Sequence, residues 1–123
     1  MERQCYSFGR FRIDTDSRVL FHDEQRLGIP PKSAEVLLAL LAGAGELVGK
    51  EALIKLVWPD TIVEDTNLAK HIFLLRKTLG ESKHGVPFIE TVPKRGYRFV
   101  GQIQPEQRVT AVLEYEGYYA KPT

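Results

Sequence analysis

An apolar stripe in residues 66–79 constrains the fold more than any other feature of the sequence. Four aliphatic side chains recur there at steps of four, three and four residues: Leu68, Ile72, Leu75 and Leu79. This is the period of an amphipathic α-helix that places one face on a hydrophobic core. Gly80 follows directly and suits the position just after a helix ends. The sequence therefore predicts a helix over residues 66–79, with Asp65 or Thr66 as its N-cap.

The opposite face of this central helix combines cations with two large apolar side chains. A helical wheel places on that face Thr66, Lys70, Phe73, Leu74 and Lys77. A face that met only water would not need Phe73 and Leu74. The pattern therefore requires an explanation other than solvation.

Positive charge is confined to one part of the 123-residue chain. Residues 1–65 contain eight basic and eleven acidic side chains, a net charge of −3, whereas residues 66–100 contain seven and two, a net charge of +5. Residues 101–123 have a net charge of −1. A localised positive patch in a nearly neutral protein is typical of a polyanion site, and an ordinary solvated charged face is the alternative.

The composition is that of one ordinary globular domain, with 43% hydrophobic and 27% charged residues. The longest apolar run, residues 36–42, is too short to span a bilayer, and no signal-peptide core follows Met1. We therefore expect a cytoplasmic domain without a membrane segment. Cys5 is the only cysteine, which excludes an internal disulfide and a cysteine-based metal cluster.

The sequence carries no signal for enzymatic chemistry. It has no phosphate-binding glycine loop and no metal-ligand spacing of histidine or cysteine. His22, His71 and His84 are expected in a strand, a helix and a loop, without a partnered nucleophile. We therefore predict that this domain is not an enzyme and needs no metal, no cofactor and no small-molecule substrate.

The N-terminal part alternates apolar and polar residues, as half-buried strands do. Residues 6–14 are predicted as one strand with a bulge at Gly9, and residues 19–22 and 27–29 as two further strands. Turn-forming residues separate these segments. We therefore expect three short antiparallel strands that serve as a scaffold.

Two helices are predicted before the central one. Pro31 suits the first turn of a helix that runs to about Ala42, and Gly49 is a weak N-cap for a second helix over residues 50–58. After this helix an acidic loop leads to the central helix. The residues of the acidic loop are Pro59, Asp60, Thr61, Ile62, Val63, Glu64 and Asp65.

A β-hairpin is predicted after the central helix. Strands over residues 88–92 and 97–100 flank a four-residue turn, residues 93–96, that proline opens and glycine closes. The two side chains left at its tip, Lys94 and Arg95, are both cationic. The hairpin is therefore expected to project a positive tip.

The predicted domain spans residues 1–104. Residues 105–123 are interpreted as a linker or C-terminal tail. Within them, residues 105–107 have the composition of a linker, and residues 109–119 are expected to form one more strand or to remain a loose tail.

The order of strands, two helices, loop, helix and hairpin is that of an α+β winged helix-turn-helix, and its physics suits DNA. The major groove admits one α-helix, so the face opposite the apolar stripe is free to meet base edges. Thr66 and Asn67 lie where helix N-terminal donors meet phosphate. Lys70, Arg76 and Lys77 are expected to contact phosphates. The cationic hairpin tip, or wing tip, is expected on the backbone or in the adjacent minor groove.

Two segments resemble a known family. Residues 67–80 read NLAKHIFLLRKTLG, and residues 88–100 read FIETVPKRGYRFV. They resemble the C-terminal effector domains of OmpR- and PhoB-type response regulators, and more closely the N-terminal DNA-binding domains of CadC-like and ToxR-like regulators. The resemblance extends over about residues 6–100. It implies a four-stranded N-terminal sheet, three helices and a C-terminal hairpin, with the recognition helix in the major groove and the wing on the minor groove.

The resemblance also implies roles for individual residues. His71 and Arg76 match family positions that contact DNA, and Thr91 and Tyr97 match wing positions that contact its backbone. The acidic loop matches a segment that contacts RNA polymerase in some relatives, and a plain solvated loop is an equal alternative. Relatives often bind repeated half-sites, so a monomer or a weak homodimer on DNA is expected.

The sequence departs from the family pattern where bases are read. Phe73 and Leu74 lie where many PhoB-type relatives place basic or polar residues, and Pro93 replaces a frequent wing arginine. Phe73 and Leu74 would contact thymine methyl groups, pack on the wing or a second protomer, or bind another protein. Arg95 is a candidate to take over the phosphate contact of the replaced arginine.

The leading hypothesis is sequence-specific binding of double-stranded DNA by the effector domain of a bacterial transcription regulator. The alternative is a winged-helix protein-interaction module that binds its partner through Phe73 and Leu74. Salt separates the two, because phosphate binding weakens steeply as salt rises and an apolar interface does not.

Overall fold

The computed structural model describes the backbone of residues 2–81 and 85–110 and the side chains of residues 4–81 and 85–104. Within this part of the chain there are three helices: α1 (Pro31–Ala42), α2 (Lys50–Val57) and α3 (Asp65–Leu79). The same part contains eight strands: β1 (Glu2–Phe8), β2 (Phe11–Asp14), β3 (Leu20–His22), β4 (Gln25–Leu27), β5 (Val48–Gly49), β6 (Ile89–Val92), β7 (Gly96–Phe99) and β8 (Gln104–Thr110). An N-terminal antiparallel sheet, three helices and a C-terminal hairpin are all present, so the predicted winged-helix fold class is confirmed.

The N-terminal sheet has the strand order β4-β3-β2-β1-β8 among the described residues. Its first hairpin shows that the prediction of one bulged strand over residues 6–14 is wrong. Phe8 pairs with Phe11 across a two-residue turn, and Gly9 has a φ of 58°, as the first central residue of a type II′ turn requires. A bulge and a tight turn both favour glycine, and the sequence pattern alone does not separate them.

Strand β8 extends this sheet beyond the four strands that the family resemblance implies. Residues 105–107, interpreted above as a linker, lie inside β8, which pairs with β1. An edge strand tolerates the proline at position 105, because its missing N–H can lie on the side away from the sheet. The predicted strand over residues 109–119 overlaps β8 at residues 109–110, and its remainder lies outside the described residues, as does His84.

The core lies between the N-terminal sheet and the helices. α1 begins and ends as predicted, and α2 ends at Val57, one residue earlier than predicted. The apolar stripe of α3 is confirmed, because its four members keep at most 4% of their surface in water: Leu68, Ile72, Leu75 and Leu79. No helix in the described part of the chain combines the length and the apolar character needed to cross a membrane.

An aromatic cluster joins the N-terminal sheet to the base of the wing. The ring centroid of Phe8 lies 5.0 Å from that of Phe99 and 5.5 Å from that of Phe88, both in edge-on geometry. All three side chains are buried. Edge-on pairs of buried aromatic rings add specific geometry to hydrophobic burial. The cluster therefore fixes where the hairpin leaves the core.

Candidate nucleic-acid interface

Helix α3 begins one residue earlier than the sequence predicted. Its N-cap is Glu64, so the prediction of Asp65 or Thr66 at that position is wrong. The Glu64 side chain makes no capping hydrogen bond, and the Asn67 N–H donates to the Glu64 carbonyl oxygen at 2.9 Å. The Asp65 carboxylate is instead engaged by the Lys50 ammonium group, at 2.9 Å. A tertiary contact therefore replaces the expected local cap.

The face of α3 opposite the core is open to solvent. Four of the predicted site residues on it are exposed: Thr66, Lys70, Phe73 and Lys77. Phe73 keeps 63% of its surface in water, whereas Leu74 and Asn67 are half-buried at the edges of this face. In the described part of the chain, neither Lys70 nor Lys77 forms an ion pair. Both ammonium groups are therefore available to an external anion.

His71 lies on the flank of α3 that packs against the other two helices. Its Nδ1 is 2.7 Å from the hydroxyl oxygen of Ser33 on α1, and its ring centroid is 5.5 Å from that of Trp58, just after α2. Ser33 is fully buried. Burial lowers the pKa of His71 below its usual value, and the positive charge of Lys70 lowers it further. His71 is therefore a neutral residue that ties α3 to α1 near pH 7.

Arg76 bridges α3 and the wing. Its Nε and Nη2 each donate to the Ile89 carbonyl oxygen at 3.1 Å, and Nη2 also donates to the Thr91 hydroxyl oxygen at 2.6 Å. Arg76 and Thr91 were both expected to contact DNA, and the structure shows them bound to each other. These hydrogen bonds hold β6 at a fixed position beside α3.

The wing tip is a three-residue turn. Val92 pairs with Gly96, and the Arg95 N–H donates to the Val92 carbonyl oxygen at 3.0 Å. Pro93 comes next after Val92, and Lys94 follows with a φ of 66°, which is the pattern of a type II turn. Lys94 is the third of the four residues that define this type II turn. Glycine is usual at that position, because a positive φ is unfavourable for other residues. Lys94 and Arg95 are both exposed.

Gly96 belongs to β7, so the prediction of a four-residue turn closed by this glycine is wrong. Gly96 is buried and pairs with Gly49 of β5. A Cβ at this position would collide with the Val48 carbonyl oxygen and lie 2.8 Å from the Gly49 Cα. Glycine is needed here because β5 and β7 approach closely, and not because a turn requires it.

Lys50 is a site residue that the sequence analysis missed. Its N–H donates to the Arg95 carbonyl oxygen at 3.1 Å while its ammonium group binds Asp65. The hydrogen bond and the charge of Asp65 raise the pKa of Lys50 above its usual value. Lys50 thereby joins the starts of α2 and α3 to the wing tip. Neither partner is close in sequence, so no local pattern indicated this role.

Lys50 also lines a cleft of about 210 Å³ between α3 and the wing. Tyr97, Thr66 and Lys94 lie along the same cleft. Tyr97 is buried, with 8% of its surface exposed, so only a small part of it is accessible. The predicted site residues at the start of α3 and in the wing are therefore brought together around one groove.

The remaining wing cation is neutralised within the hairpin. Arg98 on β7 donates two hydrogen bonds to the carboxylate of Glu90 on β6, at 2.9 and 2.6 Å. Lys94 and Arg95, by contrast, have no carboxylate partner in the described part of the chain. Within the described residues, the cations of this region without a carboxylate partner are therefore Lys70 and Lys77 on the α3 face, Arg76 between α3 and the wing, and Lys94 and Arg95 at the wing tip.

The acidic loop lies between α2 and α3, and its last residue is the first residue of α3. Ile62 keeps 98% of its surface in water, and Asp60 and Glu64 are exposed. Val63 is half-buried. Ile62 is thus a single exposed aliphatic side chain between two carboxylates, which is compatible both with a solvated loop and with a loop that contacts another protein.

An open helix face with free cations, held beside a hairpin with a cationic tip, defines a winged-helix nucleic-acid interface. Residues 24–99 match the family described as "Transcriptional regulatory protein, C terminal". The chain therefore belongs to this family, the OmpR/PhoB-type winged-helix domains of transcription regulators. The family consists of regulators and not of enzymes.

Several curated transcription regulators are similar in sequence. Transcriptional regulator HilA of Salmonella typhimurium strain LT2 is 34% identical over 119 residues, which are 90% of this chain and 21% of HilA. Transcriptional activator CadC of Escherichia coli K12 is 27% identical over 101 residues, which are 81% of this chain and 20% of CadC. The chain thus spans about a fifth of the length of these relatives.

Solved structures show the same architecture. The DNA-binding domain of E. coli CadC has a TM-score of 0.72 and 25% identity, and the match covers 85% of this chain and 98% of that domain. The RstA DNA-binding domain of Klebsiella pneumoniae has a TM-score of 0.64 and 26% identity, with 77% and 95% covered. The DNA-binding domain of E. coli CpxR shares the fold, with a TM-score of 0.70 and 24% identity over 77% of this chain and 94% of that domain.

Proposed function

We propose that this domain binds double-stranded DNA in a sequence-specific manner, as the cytoplasmic effector domain of a bacterial transcription regulator. The observation that carries the proposal is the unpaired positive charge on two adjoining elements. Lys70 and Lys77 lie on the open face of α3, and Lys94 and Arg95 lie at the wing tip. Family membership supports the proposal, and the similar RstA domain was solved in complex with the RstA box.

In this proposal α3 enters the major groove and the wing lies on the backbone or in the adjacent minor groove. The open face of α3 supplies Lys70 and Lys77 for phosphates and Phe73 for thymine methyl groups. Thr66 and Asn67 meet phosphate at the start of the helix. Leu74, at the edge of the face, widens the apolar contact around Phe73.

Four further predicted site residues support α3 and the wing within the same proposed site. His71 positions α3 against α1, and Arg76 and Thr91 connect α3 to the wing. Tyr97 is buried and lines the cleft between α3 and the wing. The family resemblance gives all four residues a DNA contact, and a supporting role does not exclude such a contact.

The acidic loop is the proposed contact for RNA polymerase. The exposure of Ile62 and of its two flanking carboxylates supports a protein contact at this place. Because the loop adjoins the start of α3, a polymerase bound beside the operator would reach it. On DNA the domain is proposed to act as a monomer or as a weak homodimer.

Fluorescence anisotropy with duplexes from the chain's own upstream region tests the proposal, with salt titrated between about 50 and 200 mM. Tight binding to one duplex and a steep salt dependence are expected. Lys70→Ala and Arg95→Ala should each reduce the slope of log K against log salt by about one. Arg18→Ala is the matched control, because Arg18 is an exposed cation between β2 and β3 that no proposed contact uses.

The second candidate function is a protein-interaction module, and the 63% exposure of Phe73 is the observation that favours it. Phe73→Ala distinguishes the two. If DNA is the ligand, this variant should lose preference for the specific duplex over a scrambled one. If no duplex binds above background at low salt, the DNA proposal fails and the Phe73 and Leu74 face becomes the site of a protein partner.

A further inference from the structure

The outer face of the N-terminal sheet carries a row of side chains that the proposed function does not use. Arg12 of β2 pairs with Phe21 of β3, and Phe21 pairs with Arg26 of β4. Directly paired residues of antiparallel strands project from the same face. Ile13 and Leu20, their neighbours in sequence, are buried in the core. The row of Arg12, Phe21 and Arg26, called here the cationic row, therefore faces outward.

The cationic row presents an apolar ring between two positive charges. The guanidinium carbon of Arg12 lies 4.8 Å from the ring centroid of Phe21. Phe21 is half-buried and Arg26 is exposed. Neither arginine forms an ion pair in the described part of the chain. Because adjacent strands lie about 4.8 Å apart, the two arginine backbones are separated by roughly 10 Å.

The acidic loop carries the complementary pattern. Ile62, with 98% of its surface in water, is two residues from Asp60 and two residues from Glu64. Both carboxylates are exposed, and neither forms an ion pair in the described residues. Across three strands, the cationic row places an apolar ring between two positive charges. Along the chain, the loop places an apolar side chain between two negative charges. Arginine is the residue best suited to bind carboxylates in a fixed geometry.

We propose that the acidic loop of one copy of this domain docks on the cationic row of a second copy. Ile62 packs on Phe21, and the two flanking carboxylates pair with the two arginines. The contacting surfaces are different parts of the chain, so the interface is heterologous. A head-to-tail pair then leaves one acidic loop free, which remains compatible with a polymerase contact at that end.

The interface is too small to hold two domains together in dilute solution. Three side chains on each partner cover far less than the roughly 800 Å² per partner that stable complexes bury. Two copies bound at adjacent half-sites would be held at a high effective concentration. In that setting, which rests on the proposed DNA binding, the contact makes binding of the second copy cooperative.

Sedimentation equilibrium of the free chain at low salt, up to about 1 mM, tests the proposal without DNA. The parent should show reversible association. A row variant, Arg26→Glu, and a loop variant, Asp60→Lys combined with Ile62→Ala, should each associate about tenfold more weakly or worse. A matched control, Lys55→Glu with Leu56→Ala, changes one exposed cation and one exposed apolar residue of α2 and should associate like the parent.

A mixture of the row variant and the loop variant provides the sharpest readout. The row variant keeps an intact loop, and the loop variant keeps an intact cationic row. If the interface is heterologous, an equal mixture should therefore form dimers. These dimers should not grow into larger assemblies, because neither of their free surfaces is intact. A monomeric parent, unchanged association in either variant, or no recovery in the mixture would overturn the proposal. A monomeric parent whose Arg26→Glu variant loses regulation in cells would assign the cationic row to another partner.

Failure of this proposal is separable from failure of DNA binding. A duplex of roughly one helical turn accommodates one copy, so both variants should bind it like the parent. Weak binding of the parent to this duplex, with self-association intact, would count against the DNA proposal alone. Circular dichroism confirms that each variant is folded, which is expected because all substituted side chains are exposed.

Discussion

The exposed face of α3 and its flanks differ in what their side chains already contact. On the flanks, His71 is hydrogen-bonded to α1 and Arg76 to the wing. On the exposed face, the side chains of Lys70, Phe73 and Lys77 form no ion pair or hydrogen bond in the described part of the chain. A helix that binds in a groove with defined geometry needs some side chains that fix its position and others that remain unpaired for the ligand. We therefore propose that His71 and Arg76 position α3 and that Lys70, Phe73 and Lys77 bind DNA.

The largest difference in the free energy of unfolding is expected between alanine variants of two neighbouring residues of α3. Ile72 keeps 1% of its surface in water and Phe73 keeps 63%. Ile72→Ala should lower the free energy of unfolding by about 2–5 kcal/mol, because a cavity replaces buried methylene groups. Phe73→Ala should change it by less than about 0.5 kcal/mol. Urea unfolding of both variants checks this, and comparable losses would show that Phe73 is packed against another part of the chain.

Arg76→Ala tests whether this residue is a positioning residue. Removal of the guanidinium group deprives the Ile89 carbonyl oxygen and the Thr91 hydroxyl of donors, which should cost about 1–3 kcal/mol of stability. DNA affinity should fall because the wing is no longer held beside α3. The slope of log K against log salt should remain that of the parent.

The matched comparison for Arg76→Ala is Lys77→Ala, one residue further along α3. Lys77 is exposed, so this variant should keep the parental stability and lose about one unit of salt slope. If Arg76→Ala lost the same salt slope while keeping its stability, Arg76 would be a phosphate contact and not a link between helix and wing.

Lys70→Ala should have a smaller effect, and only on binding. Its ammonium group is exposed and has no ion-pair partner in the described residues, so stability should stay within about 0.5 kcal/mol of the parent. Affinity should fall several-fold at low salt, and much less at high salt, where the phosphate contact is screened. Titration of one duplex at two salt concentrations checks this. A loss of affinity that is independent of salt would contradict the assignment.

The prediction of the fold depended mainly on the periodic spacing of apolar residues. The spacing of Leu68, Ile72, Leu75 and Leu79 identified α3 and its buried face because helix packing is repeated every turn. Glycine positions were less informative, because one residue type serves different needs. Gly9 is required for a tight turn and Gly96 for close approach of two strands, and only the tertiary structure separates these causes.

The candidate site was predicted in part for the same reason. Exposed cations of α3 and of the wing tip are visible as residue types on one helical face or at one turn. Contacts between distant segments leave no such pattern. Lys50 with Asp65, His71 with Ser33, and Arg76 with Ile89 are formed by the tertiary packing of separate elements. The sequence analysis therefore named the outward-facing residues, named His71 and Arg76 without their tertiary partners, and missed Lys50.

The smallest expected effect concerns the pH dependence of stability. Burial and the charge of Lys70 lower the pKa of His71 in the folded state. At a pH between the folded and unfolded pKa values, the unfolded chain therefore binds more protons than the folded chain. The contribution of neutral His71 to the free energy of unfolding is complete above the unfolded pKa of about 6.5. It is lost as the pH falls through the lower pKa of the folded state. Unfolding free energy should therefore decline from about pH 7 downward.

His71→Gln should remove this part of the decline, because glutamine still offers a hydrogen-bonding group to Ser33 and does not titrate. Lys70→Gln should weaken the decline only slightly, because burial is the larger cause of the lowered pKa and the charge of Lys70 the smaller one. Urea midpoints measured between about pH 5 and 8 for the three proteins provide the comparison. Parallel curves for the parent and His71→Gln would mean that the imidazole reaches solvent in the folded state, and His71 would then belong with Lys70 on the open face of α3.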